Sequence, residues 1–392
     1  MPNKNSTIAE KLTSLRAEFN NSGIDGFIIP RADEYQGEYI APSSNRLKFM
    51  TGFSGSAGHS IILDKKAVVM SDGRYSIQLK QQVDANHFDI EDSTKITIGK
   101  WLLDNADQDA VIGYDPKLHT PSQIEAMEQE VAGSGITFKA VDANPVDLVW
   151  DDQPALPRGY VSLFPDVVAG HSVKEKKDIV MNQVKKEGAQ GGIITLPDSI
   201  CWLLNVRGED VKMTPLVHST VILDAANNKI EWFVDGGKVS PNIRNELKKN
   251  VTLYEPSEIE ARMQALAKAA SAAGKPVTLD FQRSSIWFKN QLEADGASVK
   301  PSKDPCIEPK AQKTTSEQAS IRKAHIQDGI ALVKFLKWLD QNPNNSFSEL
   351  DVADQLEAFR KEGTDYKEPS FPTISGFAGN GAIVHYRATP NN

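Results

Sequence analysis

Two side chains in this sequence stand where chemistry could be done, far apart in the chain. His385 closes the apolar run Ala382-Ile383-Val384 beside the turn Gly379-Asn380-Gly381, with Tyr386 and Arg387 adjoining. A histidine at such a strand end can reach a cleft and donate or accept a proton near neutral pH; a buried, hydrogen-bonded imidazole fits the same position. Arg74, in Ser71-Asp72-Gly73-Arg74-Tyr75, follows another apolar run. Its guanidinium can fork onto a substrate carbonyl or carboxylate, or be held in an ion pair with Asp72.

The remaining candidates are weaker. His59, His87, His119, His171, His218 and His325 form no HExxH, and no two of the seven histidines lie within five positions, so a helical histidine pair for zinc is missing. His59 and His218 occupy matching places in a repeat described below, which suggests a shared packing role, and His325 falls on a helix face suited to an interfacial histidine. Cys201 and Cys306 are far apart and without a CxxC, so they read as structural thiols of a reducing compartment. The run Gly52-Phe53-Ser54-Gly55-Ser56-Ala57-Gly58 has neither a P-loop ending nor GxGxxG spacing and reads as a tight structural turn. Neither Ser54 nor Ser56 lies in a GxSxG elbow.

The elements that must carry these residues recur. Ile8, Leu12, Leu15 and Phe19 predict a helix stopped before the buried strand Gly26-Phe27-Ile28-Ile29. Ser172 and Glu175 form a capping box for a helix through Val173, Val180 and Val184, ended by Gly188 before the strand Gly192-Ile193-Ile194. Gly23-x-x-Gly26-x-Ile28-Ile29 matches Gly188-x-x-Gly191-x-Ile193-Ile194 at an offset of 165 residues, and Asp72-Gly73 matches Asp235-Gly236 at 163. A repeat of this length means two α/β domains of one fold. Each holds an antiparallel or mixed sheet, with a short loop at Asp64-Lys65-Lys66 between strands. The polar, proline-bearing stretch from Asp151 to Gly159 marks the boundary, giving units 1–158 and 159–313.

A third segment, 314–392, opens on the capping box Thr314-x-x-Glu317. It reads as a long helix stopped by Asn342-Pro343-Asn344-Asn345, a second helix through Leu350 and Phe359, and a hairpin of Ser370–Ile374 with Ala382–Tyr386. Two strands are a poor platform for two helices, so the segment reads as the opening of a domain.

Composition sets the outer limits. Forty-four Lys and Arg against 52 Asp and Glu leave a net charge of −8, which argues against a dedicated nucleic-acid or anionic-membrane surface. No apolar run approaches the roughly 18 residues of a membrane span and no secretory leader is evident, so a cytoplasmic location is expected.

Several stretches, taken in order, resemble one family. They are Asn45-Arg46-Leu47-Lys48-Phe49-Met50-Thr51-Gly52-Phe53-Ser54-Gly55-Ser56-Ala57-Gly58, Ser71-Asp72-Gly73-Arg74-Tyr75, Val149-Trp150-Asp151-Asp152-Gln153-Pro154-Ala155-Leu156-Pro157, Trp202-Leu203-Leu204-Asn205-Val206-Arg207-Gly208, Ala324-His325-Ile326-Gln327-Asp328-Gly329, Ser370-Phe371-Pro372-Thr373-Ile374-Ser375 and Gly381-Ala382-Ile383-Val384-His385-Tyr386. Together they resemble the larger Xaa-Pro aminopeptidases, metallopeptidases of family M24. The resemblance implies two tandem creatinase-N-terminal-like α/β domains with mixed sheets, followed by the first part of a pita-bread α+β catalytic domain. It also implies hydrolysis of the N-terminal residue from peptides with proline second, two divalent metal ions, usually manganese, and a homodimer. At the matching positions the resemblance implies that His385 contacts substrate and assists proton movement or steadies the tetrahedral intermediate, and that Arg74 contacts substrate from the first domain. The family's metal ligands follow the His-Tyr position, so no residue of this chain receives a metal assignment. The chain is therefore expected to be truncated before the metal ligands, to bind no metal and to be inactive alone. The alternative is a non-catalytic peptide-binding or chaperone-like member of the pita-bread superfamily.

Overall fold

The computed structural model describes residues 6–343 and 346–390. Asn344 and Asn345 of the predicted helix stop lie outside the described residues, as do residues 1–5 and 391–392.

Helix α1 (Ile8–Ser22) starts on a capping box in which Thr7 accepts from the Glu10 amide and Glu10 accepts in return, and it stops at left-handed Gly23. Strand β1 (Gly26–Pro30) follows, then helix α2 (Arg46–Thr51), the β2–β3 hairpin (His59–Leu63, Ala67–Ser71), and strands β4 (Asp89–Asp92), β5 (Val111–Tyr114) and β6 (Thr137–Ala140). They form one six-stranded sheet in the order β4-β3-β2-β1-β5-β6. β2 runs antiparallel to both β1 and β3, and the other pairs are parallel. Apolar clusters cover both faces, one around Phe27, Ile29 and Met50 and one around Ile28, Ile61 and Trp101. Burial on two faces is why β1 and β3 read as unbroken apolar runs.

The second unit repeats this plan. Helix α3 (Val173–Lys186) leads to β7 (Gly191–Ile194), helix α4 (Pro197–Leu204), the hairpin β8–β9 (Thr220–Asp224, Lys229–Phe233), and β10 (Val251–Tyr254), β11 (Val277–Leu279) and β12 (Val299–Pro301). The sheet order is β10-β9-β8-β7-β11-β12 with the same parallel and antiparallel pairs. The correspondence reaches single side chains. Lys11 donates from Nζ to the Phe49 carbonyl at 2.8 Å and sits 4.3 Å over that ring. Lys176, 165 positions later, donates to the Trp202 carbonyl at 3.0 Å and sits 4.6 Å over its ring. In both units a buried lysine from the first helix thus donates to a carbonyl near the end of the short one and lies over its ring.

The two units meet across buried polar contacts. The Ile286 amide donates to the His119 carbonyl at 2.7 Å, and the Trp287 amide to that of Pro116 at 3.0 Å. His218 stacks on Tyr35 with ring centroids 4.4 Å apart, and its Nε2 is 3.9 Å from Asp33. The matching histidine His59 instead begins β2 opposite Met70, so the two histidines share a place in the repeat without sharing a contact.

The third segment departs from expectation in two ways. Helix α5 (Thr315–Gln341) has the predicted capping box at Thr314, and α6 (Glu349–Lys361) packs on it through an Arg360–Asp328 ion pair at 2.6 Å. His325, expected at an interface, is exposed. Ile326, Ile330, Val333 and Leu336 are exposed too, because α6 and the short helix Asp166–Ala169 leave this face of the helix uncovered. The predicted hairpin is not formed: residues 370–377 are irregular, Ala378–Ala382 is a short 3-10 turn, and no strand is assigned among described residues 314–390. An isolated two-stranded ribbon is marginal in water, and Pro372 removes a ladder donor.

Candidate active-site cleft

β3 ends at Ser71, and a tight turn built on Asp72 follows. The Asp72 carboxylate accepts from the Arg74 amide at 3.0 Å and caps the single 3-10 turn Gly73–Tyr75. The same carboxylate grips the Arg74 guanidinium twice, Nε to Oδ1 at 2.8 Å and Nη2 to Oδ2 at 2.7 Å. This fork holds Asp72 below the ordinary carboxylate range and Arg74 above its ordinary value. The ion-pair reading of Arg74 is therefore correct, and it leaves Nη1 free to reach outward.

Nη1 reaches His385. The Arg74 Nη1 to His385 Nε2 distance is 3.2 Å, and the guanidinium can only donate, so Nε2 accepts. The His385 ring also stacks on Tyr75 at 5.6 Å between centroids with 17° between planes. Tyr75 is 2% exposed, packs edge-on against Phe53, and its hydroxyl is 2.6 Å from Ser56 Oγ. The glycine-rich run thus supplies a wall. Gly58 has φ +144° and a Cβ there would lie 2.7 Å from the Met70 carbonyl, so the run is shaped by packing. His385 itself has φ +56°, uncommon for a residue with a side chain.

What holds His385 there is a network that sequence reasoning missed. Glu349, at the start of α6, accepts from the Phe377 amide at 2.6 Å, from Asn380 Nδ2 at 3.1 Å and from the Tyr386 hydroxyl at 2.6 Å. These bonds hold Glu349 below the ordinary carboxylate range. No motif marks Glu349; its proximity to Tyr386 was the one available signal, and that exists only in three dimensions.

The second unit contains the counterpart of the Asp72 turn. Asp235 caps Gly236–Lys238 by accepting from the Gly237 amide at 2.8 Å, but Gly237 stands where Arg74 does, so nothing projects from it.

Among the described residues no group of three or more His, Cys, Asp or Glu is placed to hold a metal ion. The cleft's one carboxylate–histidine pair, Asp72 and His385, is bridged by Arg74, a cation. The described residues therefore do not fit a two-metal centre, and no chemical step through one can be drawn from them.

Comparison with known proteins places these domains. Residues 11–148 and 152–317 each match a creatinase/prolidase N-terminal domain, and residues 319–392 match metallopeptidase family M24. The chain's domains thus match, in order, those of the creatinase/prolidase and M24 peptidase families. Within them it is similar to a probable Xaa-Pro aminopeptidase P of Aspergillus niger, 33% identical over 387 residues, covering 97% of this chain and 63% of that protein. The corresponding protein of Neosartorya fischeri is 33% identical over 386 residues, covering 96% of this chain and 59% of its own length. The X-prolyl aminopeptidase of Caenorhabditis elegans, described as a cytosolic enzyme with a di-nuclear active site, superposes with a TM-score of 0.90 at 28% identity, over 97% of this chain and 64% of that one. The chain thus spans about three-fifths of the length of these relatives. No helix among the described residues is long and apolar enough to cross a membrane.

Proposed function

We propose that this chain is the peptide-recognising portion of an Xaa-Pro aminopeptidase, acting on the N-terminal residue of peptides with proline second. The observation that carries the reading is the meeting of Arg74 and His385, 311 positions apart, at 3.2 Å on one rim. Arg74, pre-organised by Asp72, offers Nη1 as a donor to a peptide carbonyl or carboxylate. His385, steadied on Tyr75, offers a nitrogen that can hold or move a proton at the same carbonyl. When bound, two divalent metal ions, with manganese as our choice, would supply the hydroxide and polarise the carbonyl; the described residues do not provide that donor set. We therefore expect this chain alone to bind Xaa-Pro peptides without cleaving them. The same observation favours a second reading, a non-catalytic peptide-binding or chaperone-like role. A cytoplasmic location and a homodimer belong to this proposal as well.

The test is calorimetric titration of a short Xaa-Pro-Xaa peptide into the pure chain, alongside an assay for release of the N-terminal amino acid with and without Mn²⁺. Saturable binding weakened roughly tenfold or more by Arg74→Ala and by His385→Ala is expected, the loss of a hydrogen bond to a charged group. Equal affinity in all three proteins would defeat the recognition reading. Manganese-dependent release by the pure chain would show that the donor argument is wrong.

A further inference from the structure

We propose that Glu349 is the positioning residue that aims His385 at Arg74, by closing the loop from Phe377 to Tyr386 with a single carboxylate. The inference rests on the reading of His385 as a substrate-contacting residue, and its geometry can be tested separately.

Residues 377–386 contain no strand and bury one side chain, Tyr386, at 7% exposed, while Phe377 and Val384 are 80% and 56% exposed. Apolar packing therefore cannot define where this loop sits. An ionised carboxylate is acceptor-only with about four lone-pair sites, so one side chain can tie several donors at once. Glu349 does this at both ends of the loop. Oε1 takes the Phe377 amide at the entry and Asn380 Nδ2 in the turn, while Oε2 takes the Tyr386 hydroxyl at the exit. Asn380 Nδ2 also reaches the Tyr386 hydroxyl at 2.9 Å, which joins the two ends. Tyr386 adjoins His385, whose left-handed backbone turns the imidazole the opposite way, toward Tyr75 and Arg74. The capping box of α6 does not need Glu349, since Ser348 and Asp351 form it themselves.

The experiment uses the full chain with isotope-labelled histidine, the His385 ring signals being identified by their loss in His385→Asn. In the unaltered chain these signals carry the ring-current displacement of a stacked imidazole. Glu349→Ala should move them to the positions of an exposed histidine and raise amide exchange over 377–386 roughly tenfold or more, while exchange in α6 stays as before. Glu349→Gln keeps an acceptor oxygen for Phe377 and Asn380 and should restore most of the signature. Tyr386→Phe, which removes the hydroxyl's bond to Glu349 and the one it accepts from Asn380 while leaving α6 untouched, should give a partial shift. His385 signals unchanged in both Glu349→Ala and Tyr386→Phe would overturn the proposal, as would exchange rising equally in the loop and in α6. Failure of the unaltered chain to bind an Xaa-Pro-Xaa peptide, with the His385 signals still dependent on Glu349, would strike the functional reading and leave the positioning role standing.

Discussion

Acid should loosen the first domain through His119. This side chain is 3% exposed, packs edge-on against Tyr114, and its Nδ1 lies 3.0 Å from the Asp115 carbonyl. A carbonyl only accepts, so Nδ1 carries the proton, and Nε2 is left buried without a partner. Burial lowers the His119 pKa from 6.5 to about 4. With the folded value depressed, the unfolded chain binds the extra proton between pH 6.5 and about pH 4, so stability falls as pH falls through that window. The full loss is about 3 kcal/mol, of which about 2 kcal/mol is reached by pH 5. His59 is also lowered to about 4, by burial and by His119, and adds a loss of the same sign over the same window. Asp33 and Asp115 oppose the trend, because burial raises both and acid relieves them. The difference between the unaltered chain and His119→Asn reports the His119 ring together with its repulsion of His59, since Asn retains a side-chain donor for the Asp115 carbonyl. Unfolding of a multidomain chain is not a single transition, so the opening free energy of β2 and β3 should be read by hydrogen exchange at pH 7 and pH 5. The unaltered chain should lose about 2 kcal/mol more than the variant on that step. Equal losses in the two proteins would refute the assignment.

Other expectations follow from single contacts. Lys176→Ala leaves the Trp202 carbonyl and Asn205 Oδ1 without their buried donor, and should lower the stability of the second domain by about 2–3 kcal/mol in chemical denaturation. Gly58→Ala forces a side chain into a left-handed backbone 2.7 Å from a carbonyl, and should cost at least about 1–3 kcal/mol with a matching fall in Tm. The exposed face of α5 should bind a hydrophobic dye and drive concentration-dependent self-association in sedimentation; Ile326→Lys with Val333→Lys should abolish both, and a dye-negative monomer at high concentration would contradict the exposed-patch argument.

The duplicated architecture was legible because its signals are local: capping residues, left-handed glycines and buried strands recur at one offset, and each works through neighbours a few positions away. The hairpin was not, since the apolar run of Ala382–Tyr386 describes a strand only if another strand lies beside it, and none does among the described residues. His325 was misjudged for a similar reason: a helix face has the same periodicity whether or not anything packs on it. At the cleft, the Arg74–Asp72 fork could be read from two neighbouring residues. The Arg74–His385 meeting and the Glu349 network could not, being set by how the third segment lies on the first domain. The Tyr35, Asp33 and His218 cluster escaped for the same cause, its members lying on different units.

The matching turns at Asp72 and Asp235 show how such a cleft can arise. In each unit one carboxylate oxygen restrains the backbone of the bend, so the aspartate is needed before any arginine is present. In the first unit an arginine at the third position of the bend engages that same carboxylate and projects beyond it; in the second unit the glycine there leaves the bend as a bend. The two corners thus share one backbone device, and the side chain at a single position separates a corner that projects a guanidinium from one that only turns the chain.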